Sequence, residues 1–532
     1  MNIELGYNIL DILKTMQDAA KEMKEQFVSG GMELFDSLGM DLGDGLYAVR
    51  ELAKAEIPVG SRIRLEDACT CALESLKDIK RLVYTKPEKV EWKLEYELGA
   101  IIETMAIQFF YWGIVEAHPE KRKEFLDFLA DAEMFELLKV SEQERKYPYD
   151  LTIMVTAYDH LDYSVQCVES ILENWPREAR CELILFNHGS TDGTKEYFEN
   201  IPKIKVINTA VNNAIPYVML RAISGGRYSL QVSNDIVIGK NAIDNLYRCA
   251  KEHPEYGYIV PATSAVSNLQ SLPVKYEGRE QFKEVTLKNN VYDEKRHEQR
   301  VRLCNPLHIM PTELAMQMSL DMYEEKCCSR LKLSFPDDRN SLWMRRNGYK
   351  CILAKDAYCH HFGSVTIGHE GTSAERDQFY EDGRKIFQEQ HGIDPWGTGF
   401  GYDLELIDKW DLPIIDNAFI LGINCGLGGN SLKIKEVLRE KGAENIRLYN
   451  IVQDRRYLKD LEGISDGAFL FECLDEVVER TKNDYYNYII IEEPIAGCVG
   501  RNMKRELLDA GLRFDQMACK VKDGTWQIFK SL

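Results

Sequence analysis

Three acidic points and one histidine pair, each standing where an apolar run breaks off, are the residues of this chain best placed to do chemistry. Asp235 closes Ser233-Asn234-Asp235, directly after the strand-like run 227–232. Asp337 and Asp338 follow Pro336 and precede a helical pattern that stops at Asn347-Gly348; His360 and His361 come shortly after. Further upstream the run Leu183-Ile184-Leu185-Phe186 ends in a polar turn, Asn187-His188-Gly189-Ser190-Thr191-Asp192-Gly193-Thr194. A carboxylate and an imidazole together suit a divalent cation, and a cation beside a leaving group stabilises the negative charge that develops there. A second carboxylate, its pKa lifted by partial burial, takes a proton from an attacking hydroxyl. Asp337 and Asp338 are the candidates for that base; neighbours on a turn rarely point the same way, so one is expected to act and the other to hold structure.

Residues of this kind work only if rigid elements present them together. The run Leu151–Thr156, the helix pattern through Val165, Val168, Ile171 and Leu172, the run 183–186 and a strand over 204–207 alternate at βα spacing. A helix is expected over 214–224, and then the strand over 227–232 that runs into Ser233-Asn234-Asp235. Alternation of this kind predicts a mainly parallel sheet with right-handed crossovers, and such a sheet takes ligands outside the carboxyl ends of its strands. Segment 277–302 is rich in charge and reads as a mobile loop over the site. A charged helix is expected from Ser373 to His391, and 392–413 has linker composition.

A chain of 532 residues is expected to form three or four domains. Residues 1–146 read as helical: Ile9, Ile12, Leu13, Met16, Ala20, Met23 and Phe27 recur at three-and-four spacing, and Cys69, Ala72, Leu73, Leu76 and Ile79 repeat the pattern. Glycines 30, 31, 39, 43 and 45 interrupt the second segment. Helices are also expected over 91–115 and 121–138. The catalytic domain is expected at 147–395, a linker at 396–413 and a last domain at 414–532. The expected class is α/β: a central Rossmann-like mixed sheet, an N-terminal helical domain and a small C-terminal Rossmann-like domain.

A formal charge of −20 argues against nucleic acid as a main partner, because phosphate binding needs concentrated Lys and Arg. The fourteen cysteines are scattered without zinc spacing, so reduced thiols in a cytoplasm are expected. Segment 98–115 approaches membrane-spanning length but carries Glu103 and Gln108, and is expected to be a buried helix rather than a span.

Four ordered motifs make 150–395 resemble the inverting family 2 glycosyltransferases of the GT-A fold: LTIMVTAYD at 151–159, NHGSTDGT at 187–194, SND at 233–235, and FPDDRNSLWMRRNGYK at 335–350 followed by HHFGSVT at 360–366. The resemblance implies a nucleotide-sugar donor, by default a UDP-sugar carrying N-acetylglucosamine or glucose, with Mn2+ or Mg2+ on its diphosphate. It implies Thr156, Tyr158, Asp159, Asn187, Ser190, Ser233, Asn234 and Asp235 as the donor-binding set. Asp235 and His361 are implied as metal ligands, and the spacing to Gly348 matches Asp337 to the family's catalytic carboxylate. Tyr158 is expected against the base and Asn187 in hydrogen bonds to it; Asp192 is expected to shape the turn. Trp343 and Trp396 are candidates for sugar stacking or core packing. Two positions depart from the family: Ser233 stands where an Asp is frequent, and Asn187 where an Asp is usual.

The C-terminal Gly422-Ile423-Asn424-Cys425-Gly426-Leu427-Gly428-Gly429 is similar to the first motif of S-adenosylmethionine-dependent methyltransferases. Asn424 replaces its first glycine, and Asn450 stands where an acid would bind ribose. A structural Rossmann-like module is the expectation there. The acceptor is expected to be a protein, such as a surface or flagellar protein, or a saccharide, with the helical domain serving acceptor docking or oligomerisation. The alternatives are a catalytically weakened nucleotide-sugar-binding or scaffold protein, and a methyltransferase acting through the C-terminal domain.

Overall fold

The computed structural model describes residues 2–56, 59–109, 114, 118–121, 147–201, 204–208, 224–324, 335–363, 373–496, 503–521 and 523–530. The expected helices over 121–138 and 214–224 fall outside these residues, apart from Lys121 and Ser224, as does the end of the HHFGSVT motif after Gly363. The chain forms two compact units: Met1–Val165, Arg180–Ser229 and Thr312–Ser334 in one, Gln166–Ala179, Leu230–Pro311 and Phe335–Leu532 in the other.

In the first unit the amino-terminal helices Ile3–Ser29, Met32–Glu56 and Val59–Thr85 bury the stripe that the sequence spaces at three and four: Ile9, Leu13, Met16, Ala20 and Met23 meet Leu46, Val49, Cys69, Ala72, Leu76 and Ile79. Asn2 caps the first helix by accepting from the Glu4 amide, and Gly30 ends it in the left-handed region. Of the glycines expected to interrupt the second segment, Gly30 and Gly31 separate the first two helices, while Gly39, Gly43 and Gly45 lie inside the second. A Cβ on Gly45 would stand 3.1 Å from the Met16 methyl and one on Gly39 3.2 Å from that of Met23. These glycines let two helices approach closely, and that packing outweighs their weak helix propensity of roughly 1 kcal/mol each.

The same unit holds β1 (Tyr149–Ala157), β2 (Cys181–Asn187), β3 (Lys205–Asn208) and the start of β4 (Gly226–Ser233), in the order β3-β2-β1-β4. β1, β2 and β3 are parallel, with Ala157 opposite Asn187 and Asn187 opposite Asn208. The strand ends therefore stand level, and the loops after β1 and β2 emerge side by side. β1 and β2 are buried on both faces, as continuous apolar runs in a covered sheet must be.

The second unit continues from β4 through β5 (Ile236–Val237), β6 (Tyr256–Thr263), β7 (His297–Arg300), β8 (Leu307–Pro311) and β9 (Lys350–His361), ordered β4-β8-β6-β9-β5 with β7 on β9. β6 and β9 are parallel; β8 is antiparallel to β6, and β5 and β7 are antiparallel to β9. The expected class, a mixed α/β sheet with a helical amino-terminal region and a second carboxyl-terminal sheet, is the one observed.

Segment 277–302 is not a loop, which corrects the expectation. It forms the helix Gly278–Asn289, a short 3-10 turn and β7. Glu298 is fully buried, with Arg300 Nε and Lys433 Nζ each 2.7 Å from Oε1 and Lys355 Nζ 2.6 Å from Oε2. Burial alone would raise the Glu298 pKa; the three cations instead hold it down to about 2.

Lys433 belongs to the carboxyl-terminal sheet domain of the same unit. There β10 (Phe419–Ile423), β11 (Arg447–Val452), β12 (Gly467–Leu470), β13 (Tyr485–Ile491), β14 (Arg513–Lys520) and β15 (Trp526–Lys530) run in the order β12-β11-β10-β13-β14-β15. All pairs are parallel except β14–β15. This is a Rossmann-like order, and its switch point lies between β10 and β13.

Candidate active site

The two expected catalytic acids sit in the first turn of the helix Pro336–Arg346, which Phe335 enters with φ 57° and Pro336 opens, a favoured place for proline. Their environments differ. Asp338 is buried and held by Arg302, whose Nε lies 2.6 Å from Oδ1 and whose Nη2 lies 3.3 Å from Oδ2. Among the described residues Asp337 makes no such ion pair. Burial lifts its pKa to about 7; the charge of Arg302 pulls it down, Asp338 pushes it up, and the Asn305 amide and Cys304 thiol stabilise the anion. A carboxyl titrating near neutrality suits a general base, and one locked to a guanidinium does not. Sequence reasoning missed Arg302, which it placed in a loop.

β4 ends at Ser233, whose amide donates to the Pro306 carbonyl at 3.0 Å. Asn234 and Asp235 form the turn into β5, and both are largely buried. β5 pairs with β9 so that Ile236 faces His361, and the Phe362 amide donates to the Asp235 carbonyl at 3.1 Å. This register brings Asp235 Oδ2 to 3.1 Å from His361 Nε2. Nδ1 of His361 meets the Ala265 carbonyl, so it carries the proton in that contact and Nε2 is the atom turned on the carboxylate. A bare imidazole nitrogen against a carboxylate oxygen calls for a positive species between them, either a proton or a metal ion. Burial alone would lower the His361 pKa, but the hydrogen bond and charge of Asp235 and the Ala265 carbonyl outweigh it and raise it. The separation also fits one cation: with ligand bonds of ~2.1 Å, neighbouring donors of an octahedron stand ~3 Å apart. Among the described residues, no group of three or more His, Cys, Asp or Glu side chains is arranged to hold a metal, so a cation at this pair would find two protein ligands.

His360 points elsewhere. Its Nδ1 lies 2.6 Å from the Tyr276 hydroxyl and 3.2 Å from Ser264 Oγ, among the rings of Tyr276, Phe282 and Phe362. Burial, and next the His361 charge, lower its pKa. It is a packed histidine.

In the first unit the loops after β1 and β2 are stitched together. Asp159 donates its amide to Ser190 Oγ at 2.8 Å and accepts from the Thr191 amide through Oδ1 at 2.8 Å. Asn187, about 1% exposed, accepts from the Ser190 amide at 2.9 Å. Asp192 accepts from the Leu161 amide at 2.7 Å and from the Thr194 hydroxyl at 2.6 Å, which holds the turn. Thr156 is buried next to the end of β1, and Tyr158 follows it, half-buried. Together Thr156, Tyr158, Asp159, Asn187 and Ser190 line two level strand ends. Trp396 packs against Phe335 and Tyr380, with their ring centroids 4.8 Å and 6.1 Å away, which is core packing.

A mixed α/β sheet with polar turns and acids at its strand ends defines a ligand-binding α/β enzyme domain. Residues 152–298 match the model of Glycosyl transferase family 2, so this part of the chain is similar to the glycosyltransferases of that family. Comparison with curated proteins gives no match. Among solved structures, the chain is similar to GalNAc-T7 with UDP, GalNAc and Mn2+, at 10% identity and TM-score 0.32 over 46% of this chain and 57% of that one. It is also similar to the mannosyltransferase PcManGT from Pyrobaculum calidifontis in complex with GDP-Man and Mn2+, at 15% identity and TM-score 0.29 over 54% and 74%. The chain thus spans little more than half the length of the first of these, and at such scores neither likeness adds to the family match. No described helix is long and apolar enough to cross a membrane.

Proposed function

We propose that the domain expected over 147–395 is an inverting, metal-dependent glycosyltransferase. It moves N-acetylglucosamine or glucose from a UDP-sugar to an acceptor hydroxyl, on a protein such as a surface or flagellar protein or on a saccharide, in the cytoplasm. The observation that carries this reading is the split between two adjacent acids: Asp338 is neutralised by Arg302, while Asp337 titrates at about 7. Asp337 takes the acceptor's proton as the new bond forms, and inversion follows because the hydroxyl attacks from the face opposite the leaving diphosphate. Asp235 and His361 hold Mn2+ or Mg2+, which stabilises the charge developing on that diphosphate. Asn234 and Ser233 border the same turn. Thr156, Tyr158, Asp159, Asn187 and Ser190 bind the nucleotide, with Asn187 supplying an amide in place of the usual carboxylate. The helical domain serves acceptor docking or oligomerisation.

The test is UDP release over a panel of donors with Mn2+, comparing the wild type with Asp337→Asn and Asp235→Ala. Both variants are expected to lose turnover; undiminished turnover in both overturns the assignment. A second reading, a nucleotide-sugar-binding or scaffold protein with weakened catalysis, is favoured by the pair of metal ligands where a fuller set is frequent. It predicts thermal stabilisation by UDP with Mn2+ and no turnover of any donor.

A further inference from the structure

The glycine-rich turn after β10 is the one sequence motif that the transferase reading leaves unexplained. In a Rossmann-like sheet such a turn approaches a pyrophosphate, its amides face the ligand, and an acid at the end of the second strand meets the ribose. Here each of those positions is engaged by the chain itself. The Leu427 amide donates to the Thr398 carbonyl at 2.9 Å and the Gly429 amide to the Gly399 carbonyl at 2.8 Å. Asn430 Oδ1 accepts from the Asp403 amide at 2.7 Å, and its Nδ2 donates at 2.9 Å to Glu492, which stands just past β13 at the switch point.

The glycines are fitted to this occupant. A Cβ on Gly426 would stand 2.1 Å from the Thr398 carbonyl oxygen, and one on Gly429 would stand 2.0 Å from that of Gly401 and 2.6 Å from that of Gly399. The fit is reciprocal: Gly399 has φ +74°, and a Cβ there would stand 2.1 Å from the Cys425 carbonyl oxygen and 2.7 Å from the Gly428 nitrogen. The ribose position is turned inward independently. Asn450 accepts from Ser431 Oγ at 2.9 Å and donates to Ser465 Oγ at 2.7 Å, with its oxygen 2.0 Å from where a Gly422 Cβ would lie. Across the switch point, Asn424 donates to Gln453 at 3.0 Å and to the Pro494 carbonyl at 3.2 Å, and Gln453 in turn holds the Ala496 amide at 2.8 Å.

We propose that the turn 424–430 is a docking site for the chain's own segment 397–403, a run of turns and bends whose carbonyls take the amides that would otherwise face a phosphate. The segment that composition marks as a linker is therefore a ligand of the domain it leads into. Farther along the same strap, the Tyr402 ring lies under both Arg300 and Lys433, 4.5 Å and 4.8 Å from its centroid, which fastens the strap beside β7. The carboxyl-terminal domain is then a docking module and not a second catalytic centre.

Hydrogen exchange on the full chain, read by mass spectrometry at residue resolution, tests this. The Leu427 and Gly429 amides are expected to exchange on the order of 100-fold or more slowly than free amides, as buried paired amides do. That protection is expected to be unchanged by S-adenosylmethionine or NAD+ at about 1 mM, a saturating excess for most cofactor sites. Gly399→Ala is expected to speed exchange at both amides by about tenfold or more, because a side chain there is strained and meets backbone, while leaving β13 protected. Fast exchange at Leu427 and Gly429 in the wild type, or new protection across 424–431 on adding either cofactor, overturns the proposal. Should Gly399→Ala fail to fold, the two wild-type arms still decide. None of these readouts depends on glycosyl transfer.

Discussion

Replacing Asp337 by asparagine keeps the shape of the side chain and removes its ionisation, so it separates the acid's role in catalysis from its cost to the fold. The carboxyl titrates at about 7 in the folded protein against 3.8 for the free group. Because the folded pKa is the higher one, the folded state binds more protons than the unfolded state between those values. The stabilising contribution is fully present below 3.8 and is lost as pH rises through 7. At ~1.4 kcal/mol per pH unit, the whole loss is about 4 kcal/mol, of which about 2.5 kcal/mol falls between pH 5 and pH 8. Asp337→Asn escapes that loss, so its stability advantage over the wild type should grow by about 2–3 kcal/mol over the same interval. The assay is chemical denaturation of both proteins at pH 5, 6.5 and 8, followed by a probe in the transferase domain. Donor turnover on the same samples should fall by about 10²- to 10⁴-fold, the usual contribution of a general base. Asp338→Asn is the internal control. It strips a buried guanidinium of its partner and should destabilise by about 3–5 kcal/mol at pH 7. Parallel stability curves for Asp337→Asn and the wild type would refute the perturbed carboxyl; full turnover in the variant would refute its role as base.

The Asp235–His361 pair binds either a proton or a metal ion between its facing atoms, so metal affinity should rise with pH as His361, whose pKa is raised, gives up its proton. Calorimetric titration with Mn2+ from pH 6 to 8 checks this, and His361→Ala should flatten the dependence; a flat wild-type curve would count against the site. Asp460 is buried and ion-paired to Arg345 and Arg346, each at 2.9 Å, on the helix that carries Asp337 and Asp338. Asp460→Ala should cost about 3–5 kcal/mol in denaturant unfolding, because it leaves buried guanidinium charge unmatched, and a loss below about 1 kcal/mol would show the pair to be solvated.

Much of the catalytic sheet was legible because its strands are apolar runs that end abruptly in polar turns. Leu151–Ala157, Leu183–Asn187 and the strand ending at Ser233 each show a change of character at the residue where the structure ends the strand. Pro336 and Gly348 likewise punctuate the helix that bears the two acids. What could not be read was the partner of each charged side chain. Asp337 and Asp338 are indistinguishable as letters; the difference lies in Arg302, 36 residues before Asp338 in sequence, and in which of the two carboxylates it reaches.

The misreading of 277–302 has the same origin and shows what charge in a sequence does and does not imply. A solvated loop and a buried strand can carry the same density of Glu and Arg, because burial of an ion depends on compensation and not on residue type. Glu298 is tolerable at full burial only with Arg300, Lys355 and Lys433 gathered round it, and Lys433 is 135 residues farther along the chain. The glycines at 426–429 follow this rule in another form. Their pattern states that a backbone must come close, and only the structure says whose. In this chain the approaching backbone is its own, so packing accounts for the glycines of a motif that is similar to a cofactor-binding turn, and the proposed chemistry rests on the acids elsewhere.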